Sequence, residues 1–321
     1  MLISKTPFRV SFFGGGTDFP EYFNNTSTKV IGTTIDKFIY ITSNSYDQTS
    51  NINIKLFYSE IEMVNNFQKI KHRVVRELLK KFELKKKIEL HFISDLQSFS
   101  GIGSSSSFSV GLSNLLFAIE KKKINKMNLA KFCIDLERNY LKESVGYQDQ
   151  IFASYGGFNT IFLSKKGFSV QKFKINKDIK KIEDNSFIFN TQIFRKADNI
   201  EKKKIKNIGN NISYLNKINE ISNKAHKYLK LNKLSEYFPD LLNESWELKK
   251  KLQKNVTNKK VDELYKYGML SGAISGKLLG AGNGGFLYFY VPEKNQMKFK
   301  KKLNNAIKIN FSNHGSQIIK I

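Results

Sequence analysis

Apolar and polar positions alternate in part through FRVSFF, KVIGTT and KFIYITSN, and this short period predicts strands over residues 2–13 and 30–43. Between them, GGGTDFPEY reads as a turn. From Lys69 the period lengthens. Ile70, Val74, Val75, Leu78, Leu79 and Phe82 share a helical face, which predicts a helix over 69–84, and IELHFI returns to a strand. After the polar stretch SDLQSFSGIGSSSS, apolar residues resume at Phe108, Val110, Leu112, Leu115 and Leu116, predicting a helix that begins at Ser104 with serines in its first turn. A second helix is expected over about 128–143, ending at ESVGYQDQ. GGFNTIFLS and FSVQKF read as a hairpin, and SFIFNTQ as a further strand.

Residues 196–268 are rich in Lys, almost free of Gly and patterned as three helices, with Pro239 in an interruption. The chain then runs through ISGKLLGAGNGG, a strand FLYFYV, a helix over 293–306 and strands around IKINF and SQIIKI. A soft boundary near Phe187 divides it into residues 1–186 and 187–321. No internal repeat is visible.

Composition narrows the classes. The 321 residues are 40% hydrophobic, the balance of a globular protein. The formal charge of +26 comes from 49 Lys and only five Arg: Arg9, Arg73, Arg76, Arg138 and Arg195. Lysine scattered along the whole chain reads as solvated helix faces and disfavours a specific nucleic-acid partner, which would gather its cations on one face. Cys133 is the single cysteine, so no intrachain disulfide forms, and KFCIDL suits a small buried residue. Lys5, Pro7 and Arg9 break any signal-peptide core, and no apolar run approaches the ~20 residues of a membrane helix. A cytoplasmic protein without a membrane partner is expected. The four histidines are far apart and carry no zinc-ligand spacing.

Three glycine-rich stretches stand out: FGGGTD over 13–18, SGIGSSSS over 100–107 and GAGNGG over 280–285. Gly280, Gly282 and Gly285 satisfy the dinucleotide-binding expression, but a strand follows them where that fingerprint requires a helix. Around Gly101 and Gly103, amides at the start of a helix can wrap an anion, and serine hydroxyls there suit Mg²⁺. No Lys-Ser or Lys-Thr follows these glycines, so the stretch is not a Walker A loop. Phosphoryl transfer also needs carboxylates; Glu137 on the second predicted helix and Asp149 in GYQDQ are the candidates.

Taken in order, TPFRVSFFGGGTDFPEY, SGIGSSSS and KLLGAGNGG resemble the three motifs of the GHMP kinases, a match that spans residues 6–285. VGYQDQIFASYGGFN and FNTQIFRKA resemble segments of the sugar-kinase branch, and the sequence looks most like its D-glycero-D-manno-heptose 7-phosphate kinases. The resemblance implies an α+β, two-domain GHMP-kinase-like architecture: an N-terminal ribosomal-protein-like domain for nucleotide and catalysis, and a C-terminal ferredoxin-like domain. It implies ATP and Mg²⁺, and transfer of the γ-phosphoryl group to the anomeric hydroxyl of a heptose 7-phosphate, with another sugar such as fucose as the rival acceptor. A homo-oligomer stays open.

Carried over by position, the resemblance assigns Gly101, Ile102, Gly103, Ser104, Ser105 and Ser106 to the nucleotide phosphates and Ser105 with Glu137 to Mg²⁺. Asp149 becomes the base or orienter of the sugar hydroxyl, supported by Arg9. Thr17, Asp18, Gly15, Gly16, Arg195 and Gly282 fall to the sugar substrate. Galactokinases carry a Glu-His pair where Gly15 and Gly16 stand, which leaves room for a larger sugar. Gln97, Phe99, Ile102, Gln192 and Asn283 depart from the family pattern, and Phe99 and Gln192 bear on the sugar's identity more than on the kinase activity.

Overall fold

The computed structural model describes residues 1–44, 51–84, 86–97, 101–193, 211–252 and 256–321. Its elements follow the hydrophobic rhythm closely at the start: β1 is Leu2–Phe13 and β2 is Thr28–Asn44, with a short α1, Pro20–Phe23, in the turn between them. A hairpin that the sequence did not announce, β3 (Ile54–Phe57) and β4 (Ile61–Val64), precedes α2 (Arg73–Lys81) and β5 (Ile88–Ser94). Next come α3 (Ser104–Ile119) and α4 (Lys126–Asp135), whose end widens into a π-helical turn, Leu136–Tyr140. The expected helix over 128–143 is thus shorter, and a separate α5, Gln148–Tyr155, occupies the stretch read as its terminus.

The remaining elements are β6 (Phe158–Ser164), β7 (Gly167–Phe173), α6 (Lys177–Asp184) and β8 (Ser186–Asn190). Then follow α7 (Ile212–Lys230), α8 (Leu234–Leu252), α9 (Lys259–Leu270), β9 (Ser275–Leu278), β10 (Phe286–Tyr290), α10 (Glu293–Lys302), β11 (Ile307–Lys308), β12 (Phe311–Ser312) and β13 (Gln317–Lys320). Pro239 lies inside α8 and does not interrupt it. The neighbouring Phe238, Leu241 and Leu242 are buried, and their packing offsets the hydrogen bond that the proline removes.

Two sheets organise the molecule. In the larger, β2 is the hub: it pairs with β1, β5, β6 and β12, while β13 lies outside β1 and the β3–β4 hairpin outside β5. The smaller is antiparallel in the order β11-β8-β10-β9. Counted from β8, that is 4-1-3-2, the ferredoxin-like order. Phe187, the expected boundary, lies in the strand that opens this second sheet, yet β12 and β13 return the chain to the first.

The helix that matters most for the site is α3. It is buried along most of its length, and its small residues let it sit close to β1. A Cβ on Gly111 would come within 2.8 Å of the Thr6 hydroxyl, and Ser107 Oγ donates to the Pro7 carbonyl at 2.9 Å. On the other side, α7 docks through polar residues at helical spacing: Asn216 accepts from Tyr22, Asn219 from Thr28 and Asn223 from Lys29. Among the described residues, no helix is long and apolar enough to cross a membrane.

Candidate active site

Arg9 is the meeting point. It sits on β1 beside the loop that leads into α3, and its backbone N–H donates to the Ile102 carbonyl at 3.0 Å. Its side chain, almost fully buried, forks onto Asp149 at the start of α5: Nε donates to Oδ1 at 2.8 Å and Nη2 to Oδ2 at 2.6 Å. Nη1 donates to the Gly101 carbonyl at 2.7 Å. One guanidinium therefore fixes both the carboxylate and the glycine loop, in the planar geometry that only arginine provides. Three of its five N–H groups are used this way, leaving two for an incoming anion.

The glycines of this loop are needed for close approach. Gly103, at φ +76°, caps α3, and a Cβ there would lie 3.1 Å from Arg9 Cγ and 3.4 Å from Asp149 Oδ2. A Cβ on Gly101 would come within 2.7 Å of the Leu279 carbonyl oxygen, so the second and third glycine stretches touch backbone to backbone. The Ile102 side chain is in the core, which leaves only its main chain to face a ligand. Amides at Ser104, Ser105 and Ser106 open α3 beside this pair, with the helix dipole behind them.

Glu137 behaves differently. It lies in the π-helical turn, fully buried, with Oε2 accepting from Ser106 Oγ at 2.9 Å and from Gln150 Nε2 at 2.6 Å. Burial, with the Glu143 carboxylate adding to it, pushes its carboxyl up to about 8. Ser106 donates to Glu137, while Ser105, expected to share Mg²⁺ with that carboxylate, is exposed in the first turn of α3. The two serines point about 100° apart around the helix.

A cleft opens over the Arg9–Asp149 pair, lined also by Ser11, Gly15, Gly16, Asp18, Gln148, Lys249, Lys277 and Gly280. Asp18 holds its rim together, with Oδ1 accepting from the Gly16 amide at 2.9 Å and Oδ2 from the Gln148 amide at 3.3 Å. Thr17 does not reach the cleft. It is fully buried, and its hydroxyl is engaged with the Gly14 carbonyl and Thr28 Oγ1. Gly282 also turns away: a Cβ there would meet Val256 at 2.5 Å, so this glycine serves chain packing, and Gly280 and Ala281 line the cleft in its place. Arg195 lies outside the described residues, as does Phe99.

Sequence reasoning missed Lys249 and Lys277. Lys249 on α8 donates to the Leu278 and Gly280 carbonyls, and Lys277 on β9 donates to the Phe12 carbonyl across the two sheets. Neither could be told apart from the other lysines by composition. Ser11 and Gln148 were missed as well, although their neighbours Arg9 and Asp149 were singled out. Cys133 is buried, and that burial pushes its thiol up, as suits an inert core residue.

With this geometry in view, the likenesses to known proteins take on meaning. Residues 68–157 match the GHMP kinases N terminal domain. The chain is 30% identical over 319 residues to the D-glycero-alpha-D-manno-heptose 7-phosphate kinase of Campylobacter jejuni, covering 94% of this chain and 92% of that protein. Among solved structures, it resembles a D-glycero-D-manno-heptose 1-phosphate kinase from Bacteroides thetaiotaomicron (22% identity, TM-score 0.81, covering 100% of this chain and 99% of that one). It also resembles the galactokinase of Lactococcus lactis complexed with galactose (17% identity, TM-score 0.75, covering 98% and 95%). Fold and site thus define a phosphotransferase of α+β architecture that takes an alcohol as acceptor. The chain belongs to the GHMP kinases, and within them it is a sugar kinase.

Proposed function

We propose that this kinase transfers the γ-phosphoryl group of ATP to the anomeric hydroxyl of D-glycero-D-manno-heptose 7-phosphate, giving the 1,7-bisphosphate. The observation that carries the reading is the Arg9–Asp149 fork, set between the opening amides of α3 and a polar cleft. The nucleotide phosphates lie against Gly101, Gly103 and the amides of Ser104 to Ser106, where the helix dipole favours negative charge. The acceptor lies in the cleft, with Gly15, Gly16 and Asp18 at its rim. Lys249 and Lys277 add positive charge to the wall, which suits an acceptor that already carries a phosphate.

In the reaction, the acceptor oxygen bonds to the γ-phosphorus as the bond to the β,γ-bridging oxygen breaks, and ADP leaves. Asp149 accepts a hydrogen bond from the attacking hydroxyl, aligns it, and takes its proton as the new bond forms. Because the transition state is loose, alignment supplies much of the acceleration. Arg9 holds Asp149 in place and turns its remaining N–H groups toward the transferring phosphoryl, where charge spreads over the equatorial oxygens.

The residues present fit Mg²⁺. Among the described residues, Glu137 Oε1 is buried without a hydrogen-bond partner, an oxygen that a hard cation would satisfy. Among the described residues, no group of three or more His, Cys, Asp or Glu gathers, so an ion here would take Glu137, a serine hydroxyl of α3 and the oxygens of ATP itself. When bound, it would neutralise charge on the nucleotide phosphates.

The test is a turnover assay that measures ADP release with heptose 7-phosphate and, side by side, with unphosphorylated sugars including fucose. Efficient turnover of the 7-phosphate, with the product identified as the 1,7-bisphosphate by phosphorus NMR, is expected. Strong activity on free sugars with none on the 7-phosphate overturns the reading.

A further inference from the structure

Among the described residues, two polar atoms in the cleft wall are buried and lack a hydrogen-bond partner: Ser11 Oγ on β1 and Gln148 Oε1 at the start of α5. A buried polar group left unpaired costs about 1–3 kcal/mol, so one that lines an open cleft is positioned to take its partner from a ligand or from the water that the ligand displaces. Both residues face the same small space. A Cβ placed on Gly15 would lie 3.6 Å from Ser11 Oγ and 3.8 Å from Gln148 Nε2, which is ordinary contact distance. Gly15 is therefore not glycine for want of room, and its φ is not in the left-handed region, in contrast to Gly14 and Gly16 on either side. The missing side chain leaves a notch with a hydroxyl on one wall and a carboxamide on the other.

The notch is firmly built. Asp18 ties the Gly16 and Gln148 amides to one carboxylate, and the Tyr147 amide donates to the Asp18 carbonyl at 3.0 Å, so the loop carrying Gly15 and the start of α5 cannot drift apart freely. Gly146 permits this contact: a Cβ there would overlap the Asp18 carboxylate. Ser11 follows Arg9 by two positions on β1, and Gln148 precedes Asp149, so the notch lies beside the catalytic pair on both chain segments that supply it.

We propose that Ser11, Gly15 and Gln148 form a hydroxyl-reading notch that selects the acceptor sugar. Gln148 Oε1 accepts a hydrogen bond from an acceptor hydroxyl next to the one that reacts, and Ser11 Oγ exchanges a hydrogen bond with that group or its neighbour. The carboxamide offers an acceptor and, turned over, a donor at the same place, so it suits a polyol and is wasted on a deoxygenated ring. Gly15 keeps the entrance open. This inference rests on the sugar-kinase reading of the cleft but not on the identity of the heptose.

The test is a double-mutant cycle between protein and acceptor. Purified wild type, Gln148→Leu and Ser11→Ala are assayed for kcat/KM with the best acceptor and with its deoxy analogues, one hydroxyl removed at a time. For one hydroxyl, wild type loses roughly 10- to 100-fold, the size of one lost hydrogen bond in a buried site. The variant that removes its partner loses about as much on the parent sugar and then becomes indifferent to that deletion. Gly15→Ala, sterically permitted, raises the acceptor KM while leaving the ATP KM in place. Thermal melting confirms folding, and if Gln148→Leu does not fold, Ser11→Ala carries the cycle.

Losses that simply add for every analogue, or a Gly15→Ala enzyme with unchanged acceptor KM, overturn the notch. If wild type prefers a sugar other than heptose 7-phosphate, the heptose reading falls and the cycle run on that sugar still judges the notch. A wild type that turns over no sugar overturns both.

Discussion

Two carboxylates on the same short stretch of chain, Asp149 and Glu137, lie in opposite surroundings. Asp149 is clamped by an arginine and partly open to the cleft, with 24% of its side chain exposed. Glu137 is sealed behind α3 with a serine and a carboxamide as its hydrogen-bond donors and one oxygen unsatisfied. Asp149 is held by the Arg9 guanidinium, whereas burial favours the protonated form at Glu137. Pairs of acids held in contrasting environments are how one site separates a role in orienting substrate from a role that awaits another charge. The first carboxylate has both oxygens engaged; the second keeps one oxygen unpaired among the described residues, the one that the proposed Mg²⁺ would satisfy.

The largest effect should come from Asp149→Asn, which keeps the shape and removes the charge. A fall of about 10²–10⁴ in kcat with nucleotide affinity retained is expected, measured by steady-state kinetics and by calorimetric ATP binding. A variant within tenfold of wild type would break the contrast, because Asp149 would then be doing nothing that an amide cannot do.

Glu137→Gln should act in two directions. Turnover should fall, since the amide is a poor substitute for a carboxylate toward Mg²⁺. In metal-free buffer, however, the variant should melt higher than wild type above about pH 8. The sign follows from linkage: a carboxyl raised from the usual range to about 8 contributes fully to stability at acid pH, and that contribution is lost as pH rises through about 8. Metal-free wild type should therefore lose stability between about pH 4.5 and 8 relative to Glu137→Gln, and parallel melting curves across that range would sink the assignment.

The smallest and most selective effect is expected from Gly103→Ala. The added methyl presses on Arg9 and Asp149, while the left-handed backbone costs roughly 1–2 kcal/mol in an L-residue. Turnover should fall about tenfold through the Arg9–Asp149 side, with the pH signature of Glu137 unchanged. A shift in that signature would mean that the two carboxylates are coupled through α3.

Much of this arrangement could be read in advance from local chemistry. The glycine-serine stretch announced a helix starting at Ser104, which is where α3 begins. Strand-forming residues marked β1, β2 and the β6–β7 hairpin, although β1 is buried on both faces over residues 6–10 and β7 on neither. Tertiary choices were not legible. Pro239 is tolerated because its neighbours are buried, which no local rule contains. The Thr17 hydroxyl is spent inside the fold, and Ser106, one step of helical rotation from Ser105, is hydrogen-bonded to Glu137. Lys249 and Lys277 reach the cleft from α8 and β9, elements brought to it only by the packing of the two sheets.

The pairing of β13 with β1 bears on how the enzyme is made. Leu2 stands opposite Lys320, and the Thr6 hydroxyl donates to Ser316 at 2.8 Å, so the strand that carries Arg9 gains its outer neighbour from a segment more than 300 residues downstream. Until then β1 has an open edge, and contacts this distant in sequence close slowly. The strand that carries Arg9 is thus finished only when β13 docks. A growing chain should stay inactive, and open to capture by chaperones, until residues 317–320 have been made and have paired with β1.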